Sequence, residues 1–170
     1  MRPEKVTPQR RTKTPEQALA SLMRLAARAE KSESDARRLM RGWGVAEAEA
    51  ERIVERLVAE RFIDDGRYAA AFVREKLNLS GWGLYKIRAA LQRKGISREQ
   101  IESAIAQADT SHLGERLQQQ LTRKARTTKA KTPYELKSKL IRYGLSLGYD
   151  YEVVVEVASS LIKTELCDEF

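Results

Sequence analysis

The fourteen residues 83–96, GLYKIRAALQRKGI, decide the fold, because the same arrangement occurs three times along the chain. It is found as SESDARRLMRGWGV at residues 32–45 and as TPYELKSKLIRYGL at residues 132–145. The glycines near the end of each copy, Gly44, Gly95 and Gly144, lie 51 and 49 residues apart. A fixed period of this size indicates a tandem repeat of one small structural unit.

Each position in the copy has a physical role in a short helix. The first residue of each copy is a predicted N-cap, namely Ser32, Gly83 or Thr132. An apolar pair four residues apart, such as Ile87 and Leu91, predicts one buried helix face. The three glycines are predicted to adopt the left-handed conformation that ends a helix, and the apolar residue after each one to pack back onto its unit.

The rest of the chain also has helical spacing of apolar residues, and no segment alternates for long enough to predict a strand. Each copy follows one predicted helix and leads into another. We therefore expect an all-α fold of about nine helices, arranged as three tandem three-helix, helix-turn-helix-like repeats that stack into an elongated, curved molecule. The predicted boundaries are a disordered basic tail over 1–17 and repeats over 18–62, 63–109 and 110–170, the last with an acidic C-terminal end.

The net charge is unevenly distributed. The chain carries +8 at pH 7, from 32 Lys and Arg against 24 Asp and Glu. Residues 110–144 carry +7 and residues 145–170 carry −5. A clustered basic stripe attracts phosphates or an acidic protein surface. The alternative is a solvated basic face that is balanced by the acidic last helix.

The composition argues against several classes of protein. One histidine, His112, and one cysteine, Cys167, cannot supply a His- or Cys-based metal site or an internal disulfide. Neither a Gly-x-x-x-x-Gly-Lys phosphate loop nor a Gly-x-Ser-x-Gly elbow occurs. We expect no enzyme, no metal and no cofactor. Without a secretory signal or an apolar run of membrane-spanning length, a cytoplasmic monomer with no membrane partner is expected.

Two short motifs allow both a structural and a chemical interpretation. In Asp64-Asp65-Gly66-Arg67-Tyr68-Ala69, one aspartate is predicted to cap the next helix and Arg67 to pair with one of the two; a metal or acid–base role is the alternative. For Gly81-Trp82-Gly83 the favoured interpretation is structural: a tight turn whose Trp fills a repeat junction. The alternative is that the glycine amides bind a phosphate and the Trp stacks on a base. Gly42-Trp43-Gly44 is interpreted in the same way.

Basic residues recur on the second helix of each repeat, which favours one continuous basic stripe. The candidate partner- or DNA-binding residues are Arg37, Arg38, Arg41, Arg67, Arg74, Lys76, Lys86, Arg88, Arg93, Lys94, Arg123, Lys124 and Arg126. The pattern continues through Lys129, Lys131, Lys137, Lys139 and Arg142, interleaved with Tyr134 and Tyr143. A basic second helix in a three-helix unit is also typical of helix-turn-helix DNA binding, although no helix carries an obvious base-reading set.

Four motifs, in this order and with these gaps, resemble the RecX family of bacterial recombination regulators. They are Ser32-x-x-Asp35-Ala36-Arg37-Arg38, Asp64-Asp65-Gly66-Arg67-Tyr68-Ala69-x-x-Phe72-Val73-Arg74, Gly81-Trp82-Gly83-x-x-Lys86-Ile87-Arg88-x-x-Leu91 and Lys94-Gly95-Ile96-Ser97. The resemblance covers residues 18–108, and the third repeat matches more loosely. The family often has proline where Leu84 stands and leucine where Ala36 stands. The motif residues with an expected structural role are Ser32, Asp35, Gly44, Asp64, Asp65, Tyr68, Phe72, Gly81, Trp82, Gly83, Ile87, Leu91, Gly95 and Ile96.

The resemblance implies a regulator that binds the RecA nucleoprotein filament along its groove. Such a protein inhibits ATP hydrolysis, strand exchange and filament extension, and so modulates recombination, DNA repair and the SOS response. The residues themselves also allow a protein of the helix-turn-helix type that binds single- or double-stranded DNA directly. The two hypotheses differ in whether naked DNA is sufficient for tight binding.

Overall fold

The computed structural model describes residues 12–168, and over this range the protein is all-α, as predicted, with no strand. Nine α-helices form three consecutive groups of three. They are α1 Pro15–Arg28, α2 Glu33–Gly42, α3 Glu47–Ala59, α4 Asp65–Glu75, α5 Leu84–Arg93, α6 Arg98–Ala106, α7 Leu113–Thr127, α8 Pro133–Ser146 and α9 Tyr151–Asp168. A π-helical segment, Lys76–Ser80, directly follows α4.

The described residues fall into two compact units, divided between Tyr68 and Ala69 within α4. The first unit contains α1, α2 and α3, which surround one apolar core. Its most deeply buried large side chains are Leu22, Met40, Leu57 and Ile63. Trp43 and Phe62 are half-buried against the same core.

The second unit contains the rest of α4 and all later helices. Helix α5 packs against α6, and α7, α8 and α9 pack against one another. The third group has its own core, which is built around Leu117, Leu121, Leu140, Tyr149 and Val154. In the second group the buried positions include Ile87 and Leu91, the apolar pair that the sequence pattern assigned to the core.

The structure differs from the predicted tail at its C-terminal end. Residues 1–11 lie outside the described residues, but Pro15, Glu16 and Gln17 form the first turn of α1. Thr14 and Gln17 make a reciprocal capping box with Pro15 at the first helical position, so this proline marks a helix start. Lys13 is also bound, since its amide donates to Trp43 O at 3.1 Å and its ammonium lies 3.9 Å from the Trp43 ring centroid.

The predicted N-caps are confirmed. Ser32 Oγ accepts the Asp35 amide at 3.1 Å and Thr132 Oγ1 accepts the Glu135 amide at 3.1 Å, while Gly83 occupies the N-cap position of α5. A Ser or Thr cap of this kind typically contributes about 1 kcal/mol to helix stability.

Two of the three predicted helix-ending glycines are confirmed and one is wrong. Gly44 and Gly95 have φ values of +74° and +76°. Gly144 lies inside α8, and the left-handed residue after this helix is Gly148, with φ +87°. The reason is packing, because a Cβ at Gly144 would lie 2.7 Å from Val154 Cγ1 of α9. Gly144 is needed for its small size, and the helix continues past it.

Candidate partner-binding surface

The aspartate pair after α3 serves two different helix starts. Asp64 Oδ1 accepts the Arg67 amide at 2.9 Å and caps α4, as predicted. Asp65 Oδ1 accepts the Glu33 amide at 2.9 Å and so caps α2, which is 32 residues away in sequence. Burial raises the pKa of the Asp65 carboxyl above its ordinary value. The carboxylates are therefore used by backbone amides.

Arg67 does not pair with either aspartate, so that prediction is wrong. Its guanidinium binds the Glu30 carboxylate, with Nε 3.1 Å from Oε1, and donates to Arg61 O at 3.1 Å. Both aspartates are already turned towards helix N-termini, which leaves Glu30 as the acidic partner. Among the side chains described over residues 12–163, no three His, Cys, Asp or Glu residues come together in a way that could hold a metal ion.

The Gly81-Trp82-Gly83 segment is a tight turn whose amides are all used. The Gly81 and Trp82 amides donate to Lys76 O, and the Gly83 amide donates to Leu147 O. These donors are therefore unavailable to a phosphate in this conformation. The Trp82 ring lies edge-on to Phe72, and the ammonium groups of Lys76 and Lys86 lie 5.3 and 4.5 Å from its centroid.

The remaining motif residues have structural positions. Trp43 is half-buried against the core of the first repeat, which supports the turn interpretation of Gly42-Trp43-Gly44. Ser32, Asp35, Ile87, Leu91 and Ile96 are buried. Tyr68 and Phe72 are half-buried on α4. These side chains are buried or half-buried and do not form an exposed surface.

Two candidate arginines form the same ion pair in successive repeats. Arg37 binds Glu51 through two hydrogen bonds of 2.8 and 3.0 Å, and Arg88 binds Glu102 through two of 2.7 and 3.0 Å. The hydrogen bonds from these arginines lower the pKa of both glutamates. Each pair joins the second helix of a repeat to the third, so both guanidinium groups are engaged within their own repeat.

This pairing has a signal in the sequence outside the four motifs. In the first two repeats the arginine stands seven residues before the glycine of the copy, Gly44 or Gly95. The glutamate stands seven residues after that glycine. In the third repeat the same two positions are Lys137 and Tyr151, so the pair does not recur there.

Several other candidates also have intramolecular contacts. Arg38 pairs with Asp35 at 3.2 Å, and Lys76 pairs with Glu75 at 2.7 Å. Lys86 Nζ donates to Ser146 O at 3.2 Å, and Lys94 is half-buried. Lys124 is exposed, with its ammonium 5.1 Å from the Tyr143 ring centroid. By contrast, five candidate arginines are exposed and make no ion pair with the side chains described over residues 12–163: Arg41, Arg74, Arg93, Arg123 and Arg126.

An exposed arginine recurs near the C-terminal end of the second helix in every repeat. Arg41 lies in the last turn of α2 and Arg93 in the last turn of α5. Arg142 lies on α8, two residues before Gly144, just as Arg93 stands two residues before Gly95. All three side chains are exposed. We call these three residues the second-helix arginines.

Helix α7 has a polar face that adds Gln118 and Gln119 to the basic residues expected from the sequence. Its apolar face is buried through Leu117, Leu121 and Ala125. The opposite face exposes Gln118, Gln119, Arg123 and Arg126, and Lys129 and Lys131 are exposed in the segment that follows. Gln and Arg are among the residue types that bind base edges, and Arg also binds phosphates. The helical period that separates these two faces could have identified this surface.

Helices in the described part of the chain are too short or too polar to cross a membrane. The helical groups, their caps and their internal ion pairs define a class of small all-α proteins built from three-helix repeats. Residues 64–105 match the family model described as RecX, second three-helix domain, and residues 114–157 match RecX, third three-helix domain. Together the two matches span about half of the chain. The chain belongs to the RecX family, a family of regulatory proteins.

Individual relatives agree with this placement. The Regulatory protein RecX of Clostridium botulinum strain Eklund 17B is 33% identical over 141 residues, which are 81% of this chain and 65% of the relative. That of Clostridium beijerinckii is 28% identical over 150 residues, 87% of this chain and 70% of the relative. The chain thus spans just under two thirds of the length of the Clostridium botulinum protein.

Two solved structures share the fold. The crystal structure of a regulatory protein RecX superposes with a TM-score of 0.77 at 22% identity, covering 85% of this chain and 73% of the other. The crystal structure of RecX from Lactobacillus salivarius superposes with a TM-score of 0.71 at 18% identity, covering 86% of this chain and 96% of the other.

Proposed function

We propose that this protein binds the RecA nucleoprotein filament and inhibits RecA ATP hydrolysis, strand exchange and filament extension. The observation that carries the proposal is the match of residues 64–105 and 114–157 to the second and third RecX three-helix domains. The family resemblance implies RecA as the partner. Inhibition by binding needs no catalytic group in this chain, and we propose that the protein acts without catalysis, as a cytoplasmic monomer.

The geometry of the second helices supports the proposal. Each repeat exposes one of the second-helix arginines, Arg41, Arg93 or Arg142, near the same helix end. A filament presents the same subunit surface again and again, so a repeat protein can contact it at several points. Linked weak contacts raise the overall affinity because the second contact forms at a high effective concentration.

The decisive measurement is DNA-stimulated ATP hydrolysis by RecA, with this protein added at substoichiometric and equimolar amounts. We expect the hydrolysis rate to fall in proportion to the amount added. An unchanged rate at equimolar protein would rule out the proposal.

A charge-neutral triple variant tests the second-helix arginines. Arg41→Gln, Arg93→Gln and Arg142→Gln together should raise the concentration for half-inhibition by about tenfold, which corresponds to about 1.4 kcal/mol of binding free energy. The matched control replaces three arginines on other helices, Arg24, Arg28 and Arg98, which are also exposed. Equal effects from both triple variants would show that only total charge matters.

Direct DNA binding is a second candidate function, and the polar face of α7 favours it. This face places Arg123 and Arg126 beside Gln118 and Gln119, with a local charge of +7 over residues 110–144. If it binds DNA, the logarithm of the affinity for naked DNA should fall steeply with the logarithm of the salt concentration. Arg123→Gln with Arg126→Gln should make that slope shallower by about one for each phosphate that the variant no longer neutralises. Weak binding to naked DNA alongside tight binding to the filament would exclude this function.

A further inference from the structure

The turn before α5 and the turn after α8 meet backbone to backbone. The Gly83 amide donates to Leu147 O at 2.8 Å, and the Tyr85 amide donates to Gly148 O at 3.1 Å. Lys86 Nζ donates to Ser146 O at 3.2 Å. Gly83 and Gly148 are both buried. These two turns, one of the second repeat and one of the third, are thus joined by two main-chain hydrogen bonds and one lysine side chain, and we call this contact the glycine junction.

The glycine junction satisfies two helix ends at once. The first amides of a helix and its last carbonyls have no partner within the helix. Here the amides at the start of α5 bind carbonyls at the end of α8, so the partially positive end of one helix meets the partially negative end of the other. Both ends would therefore be left without these hydrogen-bond partners if the junction opened.

A side chain has no room on either side of the junction. A Cβ at Gly83 would lie closer than 3.0 Å to Gly148 O and to the Tyr149 amide nitrogen. A Cβ at Gly148 would lie closer than 3.0 Å to the Lys86 amide nitrogen and Cα. The obstructing atoms belong mostly to the backbone, which cannot move aside as a flexible side chain can. Gly148 also has φ +87°, where L side chains are strained.

Side chains of the third repeat also form hydrogen bonds with the turn before α5 and with the segment preceding it. Gly81 O accepts hydrogen bonds from Tyr149 Oη and from Gln120 Nε2, both at 3.1 Å. The Arg116 guanidinium donates to Leu77 O in the π-helical segment. Tyr149 is only 7% exposed. These contacts agree with the division of the chain, in which α5 to α9 and the end of α4 belong to one compact unit that begins at Ala69.

We propose that the glycine junction is a positioning element of the partner-binding surface. It fixes α5 and α8 in one mutual orientation, so that the second-helix arginines Arg93 and Arg142 meet the filament as a preformed pair. Preformed spacing removes the entropic cost of ordering two separate contact sites at the moment of binding. This inference rests on the proposed function and names Gly83 and Gly148 as its positioning residues.

The test uses the full chain with Gly148→Ala and two matched glycine controls. Gly114→Ala adds a Cβ where no atom lies within 4 Å, so it reports the effect of a glycine replacement alone. Gly95→Ala adds a Cβ in open space at φ +76°, so it reports backbone strain without a clash. Far-ultraviolet circular dichroism establishes that each variant stays helical.

The first readout is independent of RecA. Hydrogen exchange of the Gly83 and Tyr85 amides should be about tenfold or more faster in Gly148→Ala, because local opening exposes them. Both controls should exchange these amides as the original chain does. Unchanged exchange in Gly148→Ala would overturn the inference. If this variant fails to fold, Tyr149→Phe replaces it, since that change removes only the hydrogen bond to Gly81 O.

The second readout is inhibition of RecA ATP hydrolysis. The concentration for half-inhibition should rise about tenfold in Gly148→Ala, as two contact sites no longer have a fixed spacing. Faster exchange with full inhibition would overturn the positioning role while leaving the junction in place. If the original chain does not inhibit at all, the proposed function fails, and the exchange result still tests the junction separately.

Discussion

Asp65 is a half-buried carboxylate whose charge is disfavoured where it lies. Burial raises the pKa of this carboxyl above 3.8, although the Glu33 amide that it accepts lowers it in part. The folded chain therefore holds the proton more tightly than the unfolded chain does. The part of the stability that depends on protonation of Asp65 is fully present below pH 3.8 and is lost as pH rises through the raised pKa, whereas the hydrogen bond to the Glu33 amide remains.

Asp65→Asn should retain near-original stability at neutral pH, because its side-chain oxygen still accepts the Glu33 amide and no charge is buried. Asp65→Ala should lose about 1 kcal/mol, since the start of α2 then lacks this acceptor. Urea unfolding of both variants at pH 7 measures the difference. Equal losses would show that the hydrogen bond contributes little.

Glu51 has the opposite dependence on pH. The hydrogen bond from Arg37 lowers the pKa of this carboxyl below 4.5, so its stabilising contribution is complete above pH 4.5 and is lost as pH falls through the lowered value. Glu51→Gln should make unfolding less sensitive to pH below 4.5, and Glu102→Gln should do the same in the second repeat. Glu55→Gln, an exposed change on the same helix α3, is the control for Glu51. Denaturation midpoints at pH 7 and about pH 3.5 provide the comparison.

At the residue scale, the sequence predicted the contacts between residues that are close together along the chain. The Ser32 and Thr132 caps follow from spacing over three residues, and the structure confirms both. The partner of Arg67 was predicted wrongly because Glu30 lies 37 residues away, while two aspartates lie next to Arg67 in sequence. Nearness along the chain favoured the wrong carboxylates, whose lone pairs are already used by helix amides.

At the scale of the helices, α8 and α9 are held together where a glycine meets a branched side chain. Gly144→Ala should destabilise the third repeat by about 1–3 kcal/mol through overpacking against Val154, even though alanine favours a helix. Val154→Ala should also destabilise it, by leaving a cavity. The double variant should lose less than the two single losses together, because each change fits the other. Urea unfolding of all four proteins tests this coupling, and additive losses would contradict the direct contact.

The C-terminal end of α8 is a feature that the repeat pattern predicts wrongly. Gly144 and Gly148 stand four residues apart, and each is followed by an apolar or aromatic residue. Repeat spacing favoured Gly144 as the end of the helix. In the structure α8 passes Gly144, which packs against Val154, and ends at Ser146, with Gly148 as the left-handed residue after it. The contacts with α9 and α5 are not visible in the sequence of a single helix.

At the scale of the whole molecule, the division into two compact units predicts two regions of separate stability. Met40→Ala removes a fully buried side chain of the first unit, and Leu121→Ala removes one of the second. Each should cost about 2–5 kcal/mol. Hydrogen exchange should accelerate mainly before residue 69 in the first variant and after it in the second. Uniform acceleration in either variant would indicate a single cooperative unit.

The repeat organisation was predictable from the period of the three copies, whereas the glycine junction was not. Gly83 and Gly148 are 65 residues apart, and a glycine carries no side chain whose chemistry could indicate a partner. The second-helix arginines could be predicted in part. Their positions on α2, α5 and α8 follow from the helical pattern. Arg37 and Arg88 differ from them in being held in ion pairs, and the recurring glutamates Glu51 and Glu102 are the sequence signal for that difference.

The chain contains two tryptophans, and the structure places one in each compact unit. Trp43 lies under the Lys13 ammonium, and Trp82 lies beside those of Lys76 and Lys86. Each indole is half-buried, so its fluorescence emission should shift to longer wavelength when unfolding of its own unit exposes it to water. Replacing one ring by phenylalanine leaves the other as the sole indole. The protein thus carries a built-in optical reporter for each half, and the order in which the halves unfold can be followed without any attached dye.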